Sequence, residues 1–417
     1  MGTTTHMPES LLPALWQLAQ GARWFAGRSR GGRPEGVTLG RWLTPASSGV
    51  GIRSAVLEVL FDSGERERYH VPLTYRPVSE AVAPELARAD VDGSEFSVGE
   101  LCDDPAAASL LLDLLRDGAP GFESFGEIPT GLVARRFTGE QSNTSLFFGT
   151  SLVCKVFRRL EEGSNVDVEL HRALAGTGSV AEIHGVWSDG DVDLAIITEA
   201  LAQPEDGYDL ACEHARRSSS FDDHAHALGA TLAAVHETLA ERLGTESRQA
   251  PALRATLERR FVAAAAEAPE VGPYRDAIAS TWGALPETFP TQRIHGDCHL
   301  GQVLLSAGHW RYVDFEGEPL KTLEERREPD SRWRDVAGML RSFDYAAAAG
   351  EATAAWLAGT RQAFLAGYGL PDGQERALLA AFEADKAVYE VIYERRNRPH
   401  LIHVPIDSLN RLAGETR

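Results

Sequence analysis

The residues best suited to chemistry lie near position 300, in the stretch 295–302 (His-Gly-Asp-Cys-His-Leu-Gly-Gln) and at 314–317 (Asp-Phe-Glu-Gly). Gln302 follows Asp297 by five positions, and Asp314 follows Gln302 by twelve. Phosphoryl transfer needs a carboxylate that accepts the proton of the attacking hydroxyl and oxygen ligands that hold Mg²⁺ against the phosphates. We therefore expect Asp297 to be the base, and Gln302 and Asp314 to be ligands of Mg²⁺.

Two short runs with strand character separate Gln302 from Asp314. Residues 302–305 and 310–313 are rich in apolar and aromatic side chains, and the Ser-Ala-Gly-His sequence between them predicts a turn. A hairpin of this length would bring Gln302 and Asp314 side by side. A lone His-Gly-Asp would more simply be a turn in which the carboxylate caps a backbone amide. In the kinase catalytic loop H-R-D-x-x-x-x-N, however, the base and the amide ligand are also five positions apart and a metal-binding Asp follows, and this match favours phosphoryl transfer.

One lysine, Lys155, interrupts an apolar strand predicted over 152–157. Its ammonium would be costly to bury without a carboxylate partner. Glu169 lies fourteen residues later on a helix predicted over 165–174, as in the Lys and helix-Glu pair that kinases place at the ATP phosphates. We expect Lys155 to contact the α- and β-phosphates with Glu169 as its support. Asp167 and Glu161 are alternative partners, and an edge-strand lysine extending to solvent is the structural alternative.

The segments around this strand indicate where ATP would bind. Strands are predicted over 132–137 and 144–148, and the polar loop 138–143 between them would offer backbone N–H groups and the side chains of Ser142 and Asn143 to phosphates. With one glycine, Gly139, the loop also fits an ordinary hairpin turn. The strand predicted over 192–198 leads to Glu199 and Leu201, where we expect backbone groups to bind adenine.

Five segments carry a resemblance to a known family, and this resemblance spans nearly the whole chain. The sequence resembles the aminoglycoside phosphotransferase-like kinases, and within them the actinobacterial glucosamine kinases and maltokinases. The segments are 295–302, 314–319, 324–327, 334–345 and 389–399. The resemblance implies an α+β, bilobal protein-kinase-like fold with an N-terminal α+β cap. We expect the cap at 1–100, the kinase N-lobe with nucleotide loop and hinge at 101–202, and a mostly helical C-lobe at 203–417.

The same resemblance implies ATP-dependent phosphorylation of a sugar. The sugar-binding groups would come from the C-lobe, at Glu316, Glu318, Arg395 and Asn397. Maltose phosphorylated on its anomeric hydroxyl is one candidate acceptor. The chain is shorter than a typical maltokinase and has the small Cys298 after the base, which favours glucosamine phosphorylated on its 6-hydroxyl.

An amino sugar would bring a positive charge to this region. The ammonium at C2 would find a carboxylate partner among Asp297, Glu316 and Glu318. A catalytically silent, kinase-like scaffold is a third hypothesis. The joint presence of a base, two metal ligands and a phosphate-binding lysine argues against it, since a scaffold has no physical need for all of them.

The composition fits a soluble enzyme with a small-molecule substrate. Lys and Arg total 41 and Asp and Glu total 61, so the net charge of −20 repels nucleic acid and anionic membrane surfaces. The four cysteines are far apart and predict free thiols, neither a disulfide framework nor a zinc site. The longest apolar runs are too short to span a bilayer. We expect a cytoplasmic monomer.

The remaining patterns concern packing. The Trp24-Phe25 pair is expected to pack into the core of the cap, whose strands are predicted over 54–61 and 67–75 around a turn. Apolar periodicity predicts a helix over 221–243, and His236 on it is expected to be a packing or surface residue. Asp335, in the Arg334-Asp335 pair, is interpreted as a structural carboxylate at a helix start. Further helices are predicted over 104–117, 253–267, 333–346, 350–367 and 374–397.

Overall fold

The computed structural model describes residues 7–139, 142–318 and 321–415. Two positions of the predicted nucleotide loop, Glu140 and Gln141, lie outside these ranges. The chain separates into two compact units. The first comprises Met1–Glu169 and Glu182–Leu201, and the second comprises Leu170–Ala181 and Ala202–Arg417.

The first unit begins with an antiparallel sheet covered by a helix. Its strands lie in the order β1-β2-β3-β5-β4, with β10 paired to β3. The aromatic pair Trp24-Phe25 is buried in this core, where the rings lie 5.8 and 5.0 Å from the ring of Tyr69, so the predicted packing role is confirmed. The elements are α1 (Leu11–Gly21), β1 (Gly32–Thr44), β2 (Gly51–Phe61), β3 (Arg66–Pro77), β4 (Glu85–Val91) and β5 (Ser94–Glu100).

A second sheet of six strands completes this unit, in the order β6-β11-β12-β9-β8-β7. Helix α2 precedes it and is capped at its N-terminus by Asp104, whose carboxylate accepts a hydrogen bond from the Ala107 N–H at 3.0 Å. The elements are α2 (Pro105–Arg116), β6 (Phe122–Ser124), β7 (Ala134–Arg136), β8 (Thr144–Phe148), β9 (Leu152–Val156), β10 (Arg159–Leu160), α3 (Val166–Leu174, continuing into the second unit), β11 (Ile183–Asp189) and β12 (Val192–Glu199).

A fully buried arginine, Arg158, joins the two sheets of the first unit. Its guanidinium donates to Thr144 Oγ1 at 2.8 Å, to the His70 carbonyl at 3.1 Å, and to the carboxylate of Glu100. A buried cation is stable only when its donors are satisfied and its charge is paired. Arg158 therefore holds Thr144, the first residue of β8, against strand β3 of the N-terminal sheet.

The second unit is mostly helical, with a three-stranded sheet β13-β16-β17 and a two-stranded sheet β14-β15. The five helices predicted here are present as α5, α6, α9, α10 and α11. Its elements are β13 (Glu205–Asp206), α4 (Gly207–Arg216), α5 (Asp222–Leu243), β14 (Thr245–Gln249), α6 (Ala250–Glu267), α7 (Arg275–Gly283), β15 (Thr288–Gln292), β16 (Val303–Ser306), β17 (His309–Tyr312), α8 (Leu323–Arg327), α9 (Arg332–Ala349), α10 (Ala354–Tyr368), α11 (Gly373–Asn397) and α12 (His403–Glu415).

Two sequence predictions concern the whole chain. All four cysteines are buried free thiols, as predicted. Within the described ranges, every helix is too short or too polar to cross a membrane.

Candidate active site

The β16–β17 hairpin forms as the sequence predicts. Ala307 and Gly308 make its two-residue turn, and both have positive φ (49° and 79°), which matches the twist of the flanking strands. At the open end, Gln302 Nε2 donates to Asp314 Oδ2 at 3.2 Å, and the Val313 N–H donates to the Gln302 carbonyl at 3.0 Å. The predicted juxtaposition of Gln302 and Asp314 is confirmed.

Asp314 adopts a backbone conformation that L-residues rarely take. Its φ is 63°, in the left-handed region, and such strain persists where the surrounding structure over-determines it. The next residue, Phe315, is fully buried with its ring 4.6 Å from the His295 ring, which anchors the turn. One carboxylate oxygen of Glu316 lies within 4.8 Å of one from Asp314.

The donor set at this turn suits a hard divalent cation. The Gln302 amide places its nitrogen toward Asp314, which leaves its carbonyl oxygen as a ligand. Asp314 and Glu316 add carboxylate oxygens, and Mg²⁺ prefers oxygen ligands. The residues fit the predicted metal, and Glu316, predicted to bind sugar, sits where it can also serve as a ligand.

Histidines brace the loop that carries Asp297. His295 Nδ1 accepts the N–H of Asp297 at 3.4 Å, while its Nε2 donates to the Val313 carbonyl at 3.0 Å. His299 Nδ1 accepts the Gly301 N–H at 3.0 Å, and burial lowers the pKa of His299, which favours this neutral, accepting form. Both histidines therefore brace the loop.

Helix α9 holds the same loop through the buried carboxylate of Asp335. Its two oxygens accept the backbone N–H groups of His295 at 2.8 Å and of Gly296 at 2.9 Å. His236, on α5, approaches the same carboxylate with Nε2 at 3.0 Å, and its Nδ1 lies 2.8 Å from the Tyr368 hydroxyl. Burial raises the pKa of Asp335, but the hydrogen bond and charge of His236, with the other donors, shift it downward overall.

Two more α9 positions contact the loop on the same face. Ser342 Oγ accepts the Leu300 N–H at 3.1 Å. A Cβ at Gly338 would lie 2.3 Å from the Cys298 carbonyl oxygen, so only glycine allows this approach. Residues three and seven positions after Asp335 share its helix face, and together these residues form a cradle for the loop that carries Asp297.

Asp335 lies in the first turn of α9, as its interpretation as a helix-start carboxylate requires, and buried His236 packs against Tyr368, so its predicted packing role is confirmed. Their hydrogen bonds add a role that the sequence did not indicate. Asp335 is buried in the middle of a hydrogen-bond network, and His236 belongs to that network. The i, i+3 and i+7 spacing of Asp335, Gly338 and Ser342 places all three on one helix face and was the available signal. Nothing local to residue 236 indicates that its ring reaches Asp335, which is 99 positions away.

In the first unit, Lys155 lies on β9 and its ammonium is 2.9 Å from Asp167 Oδ2. The Asp167 side chain is 3% exposed, so this ion pair is shielded from water. Asp167 is one of the alternative partners considered above, and it lies two positions before Glu169 on α3. The support that Glu169 would give to Lys155 stays a prediction.

The predicted nucleotide loop and hinge lie in the same unit as Lys155. Asn143 is buried, and its Oδ1 accepts the Arg158 N–H at 3.1 Å, while Ser142 is exposed at the loop. Glu199 ends β12, where its Oε1 accepts the Glu182 N–H at 3.2 Å. Nucleotide binding by Ser142, Asn143, Glu199 and Leu201 stays a prediction.

Helix α11 supplies side chains that sequence reasoning did not assign to the site. Lys386 Nζ lies 3.6 Å from Asp297 Oδ1. One and two turns later, Tyr389 and Tyr393 are 49% and 43% exposed, with ring centroids 6.5 Å apart and nearly parallel. Tyr389 lies within electrostatic range of Glu318, Lys386 and Asp297. Two tyrosines at i and i+4 share a helix face, and that spacing was the available signal.

The other predicted sugar-binding residues have separate contacts. Glu318 Oε2 lies 3.5 Å from the ammonium of Lys321. Arg395 pairs with Glu270 at 2.5 Å, and the Asn397 amide donates to the Tyr393 carbonyl at 2.9 Å. At 1.5 Å per residue, positions 395 and 397 lie about 14 and 16 Å beyond Lys386 along the helix axis. Arg395 and Asn397 therefore lie away from Lys386 along the helix, and the sugar-binding roles of Glu318, Arg395 and Asn397 remain predictions.

Comparison with known proteins adds to this geometry. Residues 133–382 match the phosphotransferase enzyme family (APH), and residues 19–115 match the maltokinase N-terminal cap domain. The chain is similar to the glucosamine kinase of Streptacidiphilus jiangxiensis, with 28% identity over 367 residues, covering 75% of this chain and 82% of that protein. It is also similar to the glucosamine kinase of Mycolicibacterium smegmatis (strain ATCC 700084 / mc(2)155), with 26% identity over 380 residues, covering 81% and 94%.

A solved structure has the same fold. A glucosamine kinase in complex with glucosamine, ADP and inorganic phosphate superposes with a TM-score of 0.70 at 23% identity, and the match covers 95% of this chain and 98% of that one. The predicted α+β kinase-like fold with an N-terminal cap is confirmed.

Proposed function

Because this chain belongs to the phosphotransferase enzyme family, we propose that it transfers the γ-phosphoryl group of ATP to a hydroxyl of an amino sugar, the 6-hydroxyl of glucosamine. The observation that supports this most strongly is the hairpin geometry of the second unit. Gln302 and Asp314 meet at 3.2 Å, and the loop that carries Asp297 is fixed directly before them by Asp335.

Each of these groups has a role in the reaction. Asp297 orients the acceptor hydroxyl and accepts its proton as the oxygen attacks phosphorus. Gln302 and Asp314, with Glu316 beside them, would hold Mg²⁺, which would neutralise charge on the phosphates. Lys155, held by Asp167, contacts the α- and β-phosphates. The strained Asp314 keeps its carboxylate at the hairpin end without reorganisation.

The amino group of the sugar needs a carboxylate partner. Asp297 already faces the ammonium of Lys386, so a second cation at the same oxygen would be repelled. Glu318 and Glu316 are then the partners that suit the C2 ammonium. Exposed Tyr389 and Tyr393 offer apolar ring faces on which the C–H face of a pyranose can pack. Two relatives that match this chain over most of their length are named glucosamine kinase, which supports the same acceptor.

Maltose is the second candidate, because residues 19–115 match the cap domain named for maltokinases. Its phosphorylation on the anomeric hydroxyl would use the same base and metal ligands. The two candidates differ at the acceptor: maltose brings no positive charge, so it gains nothing from Glu316 and Glu318 as ionised groups.

Specificity constants for glucosamine, glucose, N-acetylglucosamine and maltose, measured by coupled ADP release, test the proposal. A site built for a charged hydrogen bond rejects an analogue that lacks it by about a thousandfold or more. Glucosamine should therefore exceed the other three by that margin. Efficient use of maltose with none of glucosamine would leave the maltokinase candidate, and no ADP release with any sugar would contradict a sugar kinase.

A further inference from the structure

A lysine from a distant part of the sequence sits beside the base. Lys386, on α11, places its ammonium 3.6 Å from Asp297 Oδ1, and the two side chains are 27% and 22% exposed. Between Asp297 and Gln302 the loop carries Cys, His, Leu and Gly, so it supplies no permanent cation of its own. The positive charge at the base thus comes from another element of the same unit.

The surroundings of Lys386 keep it charged. Burial lowers the pKa of Lys386, but the charges of Asp297, Glu318 and Glu390 raise it, so the net shift is upward. Two of these carboxylates have other cations at closer range: Glu390 Oε2 lies 2.6 Å from Arg341, and Glu318 lies 3.5 Å from Lys321. The ammonium of Lys386 is therefore directed to Asp297.

This contact constrains how Asp297 can work. One oxygen, Oδ1, faces the ammonium, and an ion pair in a partly shielded place fixes the carboxylate rotamer. The other oxygen, Oδ2, is left to accept the proton of the acceptor hydroxyl. General-base catalysis depends on such orientation, because a misplacement of about 1 Å can lower the rate by about a hundredfold.

We propose that Lys386 is a positioning residue for the base: its ammonium holds Asp297 Oδ1 so that Oδ2 faces the acceptor hydroxyl. It also occupies the place beside Asp297 that an amino group of the substrate would otherwise take. The inference rests on the proposed function for the identity of the acceptor, but the ion pair itself does not depend on it.

A double-mutant cycle on the full-length protein tests this. Lys386→Met should lower kcat by about tenfold to a hundredfold, with the KM for ATP changed less than about twofold. In an Asp297→Asn background the same substitution should lower the residual rate by less than about threefold, since residues acting as a unit are not additive. Arg376→Met, which removes a cation from an exposed position on the same helix, should leave kcat unchanged.

Two results would overturn the proposal. A wild-type kcat in Lys386→Met would show that Asp297 needs no support. An equal loss of rate in both backgrounds would show that Lys386 acts on the substrate directly and not through Asp297.

Thermal unfolding of the wild-type protein, the two single variants and the double variant tests the Lys386–Asp297 ion pair without any acceptor sugar. Lys386→Met leaves a carboxylate unpaired only when Asp297 is present, so it should lower Tm by about 2 °C more there than in the Asp297→Asn background. Equal shifts in both backgrounds would overturn the proposal. Absence of turnover by the wild-type protein with every sugar would instead contradict the proposed function, and the thermal cycle would still decide whether the two residues are coupled.

Discussion

The side-chain amide of Gln302 lies 3.2 Å from the carboxylate of Asp314, across the open end of the β16–β17 hairpin. The two strands of the hairpin therefore set the distance between two side chains that are twelve positions apart in the sequence. The fold arranges the two predicted ligands, so binding of a divalent cation there would require little reorganisation.

Asp314→Asn should therefore lower kcat by about a thousandfold and raise the Mg²⁺ concentration needed for half-maximal rate, because one charged ligand is lost. Gln302→Asn, which keeps an amide but shortens its reach, should have the smaller effect on both quantities. The check is a Mg²⁺ titration of the initial rate at saturating ATP. An unchanged Mg²⁺ requirement in Asp314→Asn would place the metal elsewhere.

The Lys155 and Asp167 ion pair of the first unit gives a second prediction. Lys155→Ala should raise the KM for ATP about tenfold and also lower kcat, since its charge meets the phosphates in both the ground state and the transition state. Asp167→Asn should reproduce part of this loss, and Glu169→Gln is its matched control on the same helix. Steady-state kinetics with varied ATP compare the three. A larger effect from Glu169→Gln would identify Glu169 as the support of Lys155.

Asp335 accepts three hydrogen bonds while buried, so its replacement should be costly. Asp335→Asn presents an amide N–H where a carboxylate oxygen accepted, and we expect a loss of stability of about 3 kcal/mol together with a lower kcat. Glu328→Gln, which removes an exposed carboxylate paired with Arg248 just before α9, should cost about 1 kcal/mol or less and spare kcat. Urea unfolding and kcat are the measurements. Equal losses in the two variants would argue against a special role for Asp335.

A pH dependence follows from His70 on β3. Burial, and then the charge of Arg158, lower the pKa of His70 from 6.5 to about 3. A group whose folded-state pKa lies below its unfolded value contributes its full stability above the unfolded pKa and loses it as pH falls. The loss should therefore run from pH 6.5 down to about 3.

His70→Phe keeps a ring against Trp187, whose ring lies 5.1 Å away, and removes the titration. Between pH 7.5 and 5 the wild-type protein should lose about 2 kcal/mol more stability than this variant, from about 1.4 kcal/mol per pH unit below the unfolded pKa. Urea unfolding at the two pH values measures the difference. Parallel pH profiles for both proteins would mean that His70 stays neutral in the unfolded chain or is solvated in the folded one.

Short-range spacing was enough to predict the hairpin, the meeting of Gln302 with Asp314, and most helices and strands, because local periodicity and turn chemistry decide these. The Asp335 cradle and Lys386 could not be predicted in the same way. They reach the base from 38 and 89 positions later in the chain, and contacts of that range depend on how helices pack. For Lys155, the sequence predicted the helix that carries its partner. Which carboxylate of that helix faces the lysine depends on how the helix packs against the strand, and this was not predicted.

The role proposed for Asp297 is that of the base in phosphoryl transfer to a sugar hydroxyl. The most direct measurement is kcat of Asp297→Asn with ATP and glucosamine, together with its dissociation constant for ATP. We expect turnover to fall by about a thousandfold or more while ATP affinity changes less than about threefold, because the base acts on the acceptor and not on the nucleotide. Turnover close to that of the wild-type protein, or a loss of ATP affinity as large as the loss of rate, would contradict the account.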